Sequence, residues 1–374
     1  MVVDAQTSLE HQWPYLRSFL LGEAELEETA RDTGALVRKR EVSSASDLLR
    51  LALAYGFCGL SLRETAAWAE TTGIASISNV ALLKRLRKSA PWLGKLLGIK
   101  LASRTALSTT TTTNAAPCIL RLVDATSLSK PGSQGTDWRI HLGYNLTRLS
   151  IDHVDVTTGA AGETLTRFKL KPGEIVLGDR GYAHRRGLQH ILQQQGTFIV
   201  RLNWSTLPLQ SSDGGPFDLL KTLRAIPDAT ASSWVVLIAA SKEGNLPPMA
   251  VRLVALRKTE AAAQEARRKI LQTASRKGKA VNPTTLEMAG YVCLVSNVPS
   301  STLSALDVLE VYRFRWQIEL VFKRMKGLMY LDELPAKDPE LARAFIYSKL
   351  LAALLLEDLT ERYLDFSPWG YPVG

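Results

Sequence analysis

The sequence is poor in cysteine, and the three that it has, Cys58, Cys118 and Cys293, are scattered through 374 residues without paired spacing. This pattern argues against a disulfide framework and against a structural zinc site, and it suits a reducing cytoplasm. The N-terminus lacks a basic-then-apolar signal pattern. The longest apolar run, KLLAALLLEDL near Leu350, is too short to cross a bilayer. We therefore expect a cytoplasmic protein with no membrane partner.

Acidic residues are also in deficit. The chain has 36 Asp and Glu against 46 Lys and Arg, which gives a formal net charge of +10 and a pI near 9.5. An excess of this size favours a polyanionic partner, most simply nucleic acid, although a generally basic surface is the plain alternative. The length predicts two or three structural units.

Changes in composition divide the chain into five segments. Residues 1–102 read as helical, and the Thr-rich 103–117 is typical of a linker. Residues 118–204 alternate strands with helices, 205–290 read as a β-rich insertion, and 291–374 return to a strand and two long helices. The predicted fold class is α/β, with a mixed sheet flanked by helices, the insertion and an all-helical N-terminal region.

The N-terminal region contains a helix-turn-helix-like pattern. Ser61 and Glu64 form a capping box that begins one helix, and Gly73 can end it. A second helix can begin at Ser78 or Asn79, and its apolar positions are predicted at Val80, Leu83 and Leu86. Four basic residues lie on its other faces: Lys84, Arg85, Arg87 and Lys88. The pattern fits DNA binding, and a helical hairpin with a solvated basic face remains the alternative.

A glutamate interrupts the basic, aromatic stretch VYRFRWQIELVFKRMKG, residues 311–327. If the stretch is one helix, then Tyr312, Arg315, Glu319 and Lys326 share one narrow face at about 100° per residue. Tyr, Arg and Lys can hold phosphate oxygens, whereas Glu319 repels them unless a divalent cation lies between. A salt bridge to Lys323 is the simpler reading of this glutamate.

Two further acids follow short apolar runs, where a sheet places them at a strand or its end. These are Asp124, after CILRLV, and Asp179, after EIVLG. Mg²⁺ prefers oxygen ligands, and two metals held by three acids are a known arrangement for phosphodiester chemistry. An Asp at a strand end is more often a cap or turn former, and three other acids of the strand region compete for the role: Asp137, Asp152 and Asp155.

Three blocks of the sequence resemble those of a known enzyme family. DATSLSKPG, GETLTRF with GDRGYAH, and YRFRWQIELVFKRMKG resemble the catalytic blocks of bacterial DDE transposases. The branch is the insertion-sequence-four family, defined by Tyr-x2-Arg-x3-Glu-x6-Lys, and Tyr312, Arg315, Glu319 and Lys326 meet every spacing. The resemblance extends over residues 120–356, with the insertion less distinctive.

The resemblance implies an RNase H-like catalytic core and a Mg²⁺- or Mn²⁺-dependent cut-and-paste transposase. Asp124, Asp179 and Glu319 would hold two ions. Water would nick the end of the element, and the released 3′-hydroxyl would attack the other strand to form a hairpin, which is reopened and joined to target DNA. The expected partners are double-stranded DNA, as terminal inverted repeats and target, and a second copy of the chain, on the bacterial nucleoid.

The resemblance also implies residues that contact DNA. The side chains expected to hold phosphates near the scissile bond are Tyr312, Arg315, Lys326, Arg201 and Arg180. Hairpin formation needs an aromatic surface for a flipped base, and Tyr291 stands where relatives have a Trp, with Trp204 and Trp234 as other candidates and core packing as the alternative for each. Two rival functions stay open: a metal-dependent nuclease that does not join ends, and a non-catalytic DNA-binding protein.

Overall fold

A computed structural model describes residues 9–11, 13–107, 119–241 and 245–364. Within these residues, a layer of helices covers one face of a mixed sheet, and further helices cover the other face. Cys118, in the segment between the helical layer and the sheet, lies outside the described residues.

The helical layer is built first along the chain. Its helices are α1 (Trp13–Arg17), α2 (Glu23–Asp32), α3 (Ala45–Gly56), α4 (Leu62–Thr71) and α5 (Asn79–Leu107). The capping box at the start of α4 is confirmed, because Ser61 Oγ accepts from the Glu64 amide at 3.2 Å and Glu64 Oε2 accepts from the Ser61 amide at 2.8 Å. Gly73 follows α4 with a positive φ of 69°.

The long helix α5 differs from its prediction in two ways. It continues past residue 102, where the linker was expected to begin, as far as Leu107. Of the three predicted apolar positions, Leu86 is buried as expected, whereas Val80 is 56% exposed and Leu83 is half-buried; Leu82 is buried instead. The prediction of one apolar face was incomplete because α5 packs against α4, α2 and the C-terminal helix. The predicted domain boundaries stay predictions.

The described strands form one mixed sheet of nine strands in the order β3-β2-β1-β4-β5-β9-β8-β7-β6. Strands β1 and β4 are parallel, as are β4 and β5, whereas β1, β2 and β3 form an antiparallel meander. The predicted α/β class, a mixed sheet flanked by helices with a helical N-terminal region, is confirmed. The strands of this half are β1 (Leu120–Leu128), β2 (Trp138–Asn145), β3 (Ser150–Thr158), β4 (Ile175–Gly178) and β5 (Thr197–Arg201).

The insertion extends the same sheet. Its strands pair antiparallel with one another, and β8 pairs with β9, which in turn pairs with β5 of the core. The strands of this half are β6 (Leu209–Gln210), β7 (Ala231–Ile238), β8 (Met249–Arg257) and β9 (Tyr291–Ser296). Backbone hydrogen bonds between β8 and β9 therefore join the predicted insertion to the rest of the sheet.

The remaining helices follow the strands along the chain. They are α6 (Arg185–Gln193), α7 (Leu219–Arg224), α8 (Glu260–Arg276), α9 (Pro283–Met288), α10 (Ala305–Arg313), α11 (Trp316–Met329) and α12 (Pro339–Leu364). Helix α6 packs on the face of the sheet opposite α12, within a second apolar cluster that includes Phe168, Tyr182 and Phe198.

The single helix predicted through residues 311–327 is divided in the structure. Helix α10 ends at Arg313 and α11 begins at Trp316, while Phe314 and Arg315 keep right-handed helical dihedrals. The amides of Arg315 and Gln317 donate three residues back, to Tyr312 and Phe314, at 3.0 Å each. This 3₁₀-type step tightens the turn, as short 3₁₀ segments do where a helix carries a functional bend.

A buried ionic cluster fastens the helical layer to the core. Arg104 of α5 donates to Glu357 Oε2 at 2.6 Å, to the Leu354 carbonyl at 2.6 Å and to the Ile151 carbonyl of β3 at 3.1 Å. Arg104 and the neighbouring Lys100 also pair with Asp358. Because each charge is matched and the Arg104 side chain is only 10% exposed, removing one partner leaves a buried charge without compensation.

In the described part of the chain, no helix is both long and apolar enough to span a membrane.

We predict that Arg104→Ala lowers the free energy of unfolding by about 3 kcal/mol, since the Glu357 carboxylate loses its ionic partner and Asp358 keeps only Lys100. Urea denaturation of the full chain, followed by circular dichroism, measures this loss. Arg268→Ala is the control, because Arg268 pairs with Glu265 on the solvated surface of α8 and its removal leaves the midpoint unchanged. Equal midpoints for the Arg104 variant and the wild type would contradict the prediction.

Candidate active site

Asp124 and Asp179 are neighbours because two parallel strands hold them in register. Strand β1 pairs with β4 at Leu122 and Leu177, and two further residues along each strand lead to Asp124 and Asp179. Neighbouring strands lie about 4.8 Å apart, and residues in register point to the same face of a sheet. The sheet therefore gathers two carboxylates that are remote in sequence, Asp124 within β1 and Asp179 directly after β4.

Local hydrogen bonds fix each aspartate. Asp179 Oδ1 accepts from the Gly181 amide at 2.8 Å and so caps the 3₁₀ turn Arg180–Tyr182 that ends β4. Asp124 Oδ1 accepts from the amide of Ala125 at 2.8 Å. Each aspartate keeps its second oxygen for other partners, which a metal ligand requires.

The environment of Asp124 disfavours its charge. The pKa of Asp124 is raised to about 7, mainly by burial and also by the nearby carboxylates of Asp179 and Glu163, while the Ala125 amide and the Arg315 guanidinium oppose the shift. Burial and like charge are two of the causes that shift a carboxylate pKa upward. A cation at this place would reverse both effects.

Glu319 reaches this region through an arginine. Arg315 Nη2 forms an ion pair with Glu319 Oε1 one helical turn away, and Arg315 Nη1 lies 4.0 Å from Asp124 Oδ2. The alternative of a salt bridge from Glu319 to Lys323 is not found among the described residues, where Glu319 pairs with Arg315 instead. The guanidinium therefore stands between two of the three predicted acids, with Glu319 56% exposed and Asp124 18% exposed.

Tyr312, the preceding member of the signature, lies beside the positive charge of Arg315. Burial raises the pKa of Tyr312 to about 12, although the charges of Arg315 and Arg201 lower it. Lys326 lies two turns beyond Glu319 on α11 and is half-buried.

Positive side chains continue from the aspartates toward the insertion. Burial lowers the pKa of Arg180, and the neighbouring positive charge of Arg201 lowers it further. Lys258, at the end of β8, is affected in the same way by burial and by Arg201. The predicted phosphate-contacting residues Arg180 and Arg201 thus lie together, and Lys258 extends the row they form. Sequence reasoning missed Lys258 because it stands in the insertion, beyond the matched blocks.

The candidate stacking residue lies at the far end of this row. Tyr291 begins β9 opposite Arg257 of β8 and is 8% exposed. It lines a cavity of about 330 Å³ together with Lys258 and Arg267. Trp204 and Trp234 are half-buried. The low exposure of Tyr291 agrees with core packing, so base stacking requires the side chain to turn outward.

The three competing aspartates have structural partners. Asp137 pairs with Lys130 at 3.3 Å, Asp152 with Arg121 at 2.8 Å, and Asp155 with Arg167 at 2.7 Å. These partners neutralise the three carboxylates, Asp137 just before β2 and Asp152 and Asp155 on the edge strand β3. The ambiguity that the sequence left among the acids of the strand region is thereby reduced in favour of Asp124 and Asp179.

The four basic residues of α5 lie near the start of that helix. Arg85 donates to the carbonyl of Arg38 at 2.8 Å, and Arg87 pairs with Asp338 at 3.1 Å. Lys84 and Lys88 are exposed. Arg87 is exposed as well, but both arginines also bind other parts of the chain, and the described residues show no such partner for the two lysines.

Glu163 is an acidic neighbour that the sequence reasoning did not single out. It lies in the loop after β3, within the GETLTRF block, and Asp179 is the charged group that acts on it most strongly. Its Oε2 lies so close to Gly181 that a Cβ at that glycine would stand 1.9 Å from it. Gly181, two residues after Asp179, was the sequence feature that could have indicated this neighbour, because a glycine lets another side chain lie close to the backbone.

The donor set suits a hard divalent cation, because Asp124, Asp179, Glu319 and Glu163 offer carboxylate oxygens without a thiol or imidazole. Among the described residues, no three such side chains already stand close enough together to hold an ion. The fully buried hydroxyl of Tyr182 is also without a hydrogen-bond partner in the described structure, and its charged neighbours include Asp124, Glu163 and Asp179. The chemistry of the donor set and the buried, unpaired Tyr182 hydroxyl therefore fit a divalent cation in this region.

Comparisons with known proteins support the resemblance of the three sequence blocks to DDE transposases. Residues 119–355 match the model of the transposase DDE domain. InsL of insertion sequence element IS186A from Escherichia coli K12 is 39% identical over 360 residues, covering 95% of this chain and 96% of that protein. The transposase for insertion sequence element IS421 of Escherichia coli is 39% identical over 361 residues, with the same coverage.

Two more distant similarities were found, one to a transposase sequence and one to a solved structure. The transposase for insertion sequence element IS231B of Bacillus thuringiensis subsp. berliner is 24% identical over 363 residues, 88% of this chain and 76% of that protein. Among solved structures, a piggyBac transposase synaptic complex with hairpin DNA is similar at a TM-score of 0.42 and 11% identity, covering 96% of this chain and 73% of that one.

We predict that Asp124→Asn raises stability at high pH. Between its ordinary pKa of 3.8 and about 7, the folded state binds a proton that the unfolded state has released, so wild-type stability falls as pH rises through this window. Asparagine lacks this loss, and the variant gains roughly 2–4 kcal/mol near pH 8 relative to pH 4. Urea denaturation with EDTA at several pH values measures it.

The exposed Asp228, which is 67% accessible, supplies the control. Asp228→Asn is expected to keep the wild-type dependence of stability on pH. A slope for Asp124→Asn that is as steep as that of the wild type between pH 4 and pH 8 would show that Asp124 titrates in its ordinary range.

Proposed function

The chain belongs to the DDE-domain transposases, and from this premise we propose that it moves an insertion sequence by cutting the DNA ends of the element and joining them to a target. The family match covers residues 119–355. One observation carries the proposal within this chain: Asp124 of β1 and Asp179, directly after β4, each stand two residues beyond the paired Leu122 and Leu177, and Arg315 lies between Asp124 and Glu319. With this arrangement the three signature acids lie in one region of the fold, where they would share the bound cations.

Asp124, Asp179 and Glu319 would hold two Mg²⁺ or Mn²⁺ ions. When bound, a metal pair activates the attacking oxygen and stabilises the leaving oxygen of an in-line displacement. The side chains of the protein do the positioning. Arg315 supplies a planar fork suited to phosphate, Tyr312 orients that fork, and Arg180 and Arg201 hold the strand beside Asp179.

One site can serve each step of cut-and-paste transfer, because each step is a displacement at phosphorus. Water nicks the end, and the released 3′-hydroxyl attacks the opposite strand to give a hairpin. The hairpin is then opened and joined to target DNA. Tyr291 is proposed to receive the flipped base, and Lys326 to hold phosphate farther along α11. Two copies of the chain bring the two ends together on the nucleoid.

The basic start of α5 is proposed to contact the terminal repeat. Lys84 and Lys88 are exposed, and four cations within two turns form the electrostatic footprint that DNA binding needs. The long α5 connects this footprint to the core through Arg104. Recognition of the end and cleavage would thus be carried by one continuous body.

We predict that Glu319→Gln abolishes cleavage and keeps binding to the end. The substitution removes one metal-binding carboxylate while Arg315, Arg201 and Arg180 still hold phosphates, so cleavage falls by about 100-fold or more. Gel-shift and nicking assays in Mg²⁺, on duplexes carrying the inverted repeats that flank the gene, measure the two properties. Glu310→Gln is the control, because Glu310 pairs with Arg313 at the surface.

Two results would count against the proposed function. Near wild-type cleavage by Glu319→Gln would remove the carboxylate from the chemistry. Cleavage by the wild type without joining to a supplied target duplex would instead support the nuclease reading, and binding with neither reaction would support a DNA-binding protein.

We predict that replacing Lys84, Arg85, Arg87 and Lys88 by Gln weakens binding to the end and flattens its salt dependence. Every DNA phosphate that the protein no longer neutralises reduces the slope of log K against log salt by about 0.9. The two exposed lysines are expected to account for most of the change, since both arginines keep partners within the protein. Fluorescence anisotropy over a range of salt concentrations measures the slope.

A quadruple change on the insertion provides the control, with Arg268, Lys269, Arg276 and Lys277 replaced by Gln. The net charge is the same in both variants. If the salt slope flattens equally in both variants, DNA binding depends on general positive charge. If the slope of the α5 variant is unchanged, the basic residues of α5 form a solvated surface that does not contact DNA.

A further inference from the structure

A half-buried glutamate stands beside the two aspartates without a partner of its own. Glu163 accepts no hydrogen bond and forms no ion pair among the described residues, and its strongest charged neighbour is the like charge of Asp179. Burying an unpaired carboxylate is costly, and it is costlier beside another one. Such an arrangement is stable where a cation is normally present.

The backbone makes room for this carboxylate. A Cβ on Gly181 would stand 1.9 Å from Glu163 Oε2 and 3.1 Å from Asp179 Oδ1. Both oxygens therefore face the same glycine, whose amide also holds Asp179. The turn Arg180–Tyr182 thus brings Glu163 against the aspartate that the family uses.

Tyr182 provides a second, independent observation. Its side chain is fully buried, and its hydroxyl has no hydrogen-bond partner within the described structure. The charged groups around it are Asp124, Glu163, Asp179 and Arg139. A buried phenol normally has a partner, so an orphan hydroxyl among three carboxylates indicates that something polar occupies the space between them.

Glu319 stands differently. It is 56% exposed and its carboxylate is committed to Arg315. In this conformation Glu163, rather than Glu319, is the third carboxylate on the side of Asp179.

We propose that Glu163 is a fourth carboxylate of the cation site, and that with Asp124 and Asp179 it binds one Mg²⁺ or Mn²⁺ in the DNA-free protein while Arg315 still holds Glu319. The proposal rests on the proposed function, since it concerns the same site. Mg²⁺ is held by one or two carboxylates together with water and phosphate. A third carboxylate can hold the ion until phosphate arrives, and the Tyr182 hydroxyl can then donate to a ligand oxygen.

The test is a Mn²⁺ titration of the full chain without DNA, with free Mn²⁺ followed by electron paramagnetic resonance. Glu163→Gln is expected to weaken binding of the first ion by about tenfold or more. Glu319→Gln is expected to change it by less than about threefold, because that carboxylate stays with Arg315. Glu265→Gln is the matched control, since Glu265 lies on the surface of α8 with Arg268.

Wild-type affinity in Glu163→Gln overturns the proposal, as does a loss in Glu319→Gln equal to that in Glu163→Gln. Circular dichroism and thermal melting establish that each variant is folded. If Glu163→Gln does not fold, the decision passes to Glu163→Asp, which keeps the charge on a shorter side chain. Weaker Mn²⁺ binding by Glu163→Asp then supports the proposal, and unchanged binding overturns it.

The same titration separates this proposal from the proposed function. If the wild type cuts and joins ends while Glu163→Gln binds Mn²⁺ normally, the role of Glu163 fails and the transposase function stands. If Mn²⁺ binding depends on Glu163 but the wild type does not cut its ends, the cation site stands and the transposase function fails.

Discussion

The parallel pairing of β1 with β4 is the constraint on which the site depends. The register of Leu122 with Leu177 brings Asp124 beside Asp179, and no local sequence feature could do this across the intervening strands. Two carboxylates placed so closely repel each other and lose solvation. The backbone hydrogen bonds of the sheet impose that arrangement. The positive charge of Arg315, close to Asp124, offsets part of the repulsion.

Two ionic assemblies serve different ends in the same molecule. Around Arg104 every charge is matched within the chain, so the helical layer and the core stay joined. Around Asp124 the charges are matched only in part, by one guanidinium shared with Glu319. The first assembly favours rigidity, whereas the second leaves negative charge that a ligand can neutralise. Structural and functional charge are thus distinguished by whether compensation is complete.

The sequence predicted the strands that carry Asp124 and Asp179, the signature spacing of Glu319 and the capping box at Ser61, because each depends on short-range patterns. Other features depend on tertiary packing and were missed. The break before Trp316 follows from a 3₁₀ step that helical periodicity does not encode. The exposure of Val80 follows from α5 being enclosed by several neighbours. Glu163 was not predicted, because the loop after β3 places it beside Gly181 and Asp179 only in the folded structure.

The length and anchoring of α5 have a geometric consequence. This helix of 29 residues spans about 43 Å at 1.5 Å per residue, with its basic start at one end and the Arg104 cluster at the other. Because the far end of α5 is fixed to the core, the helix holds its basic start at a constant distance from the active site. If its basic end grips the repeat, the number of base pairs between the gripped sequence and the severed bond is set by the dimensions of the protein, so this offset would be the same at both ends of the element.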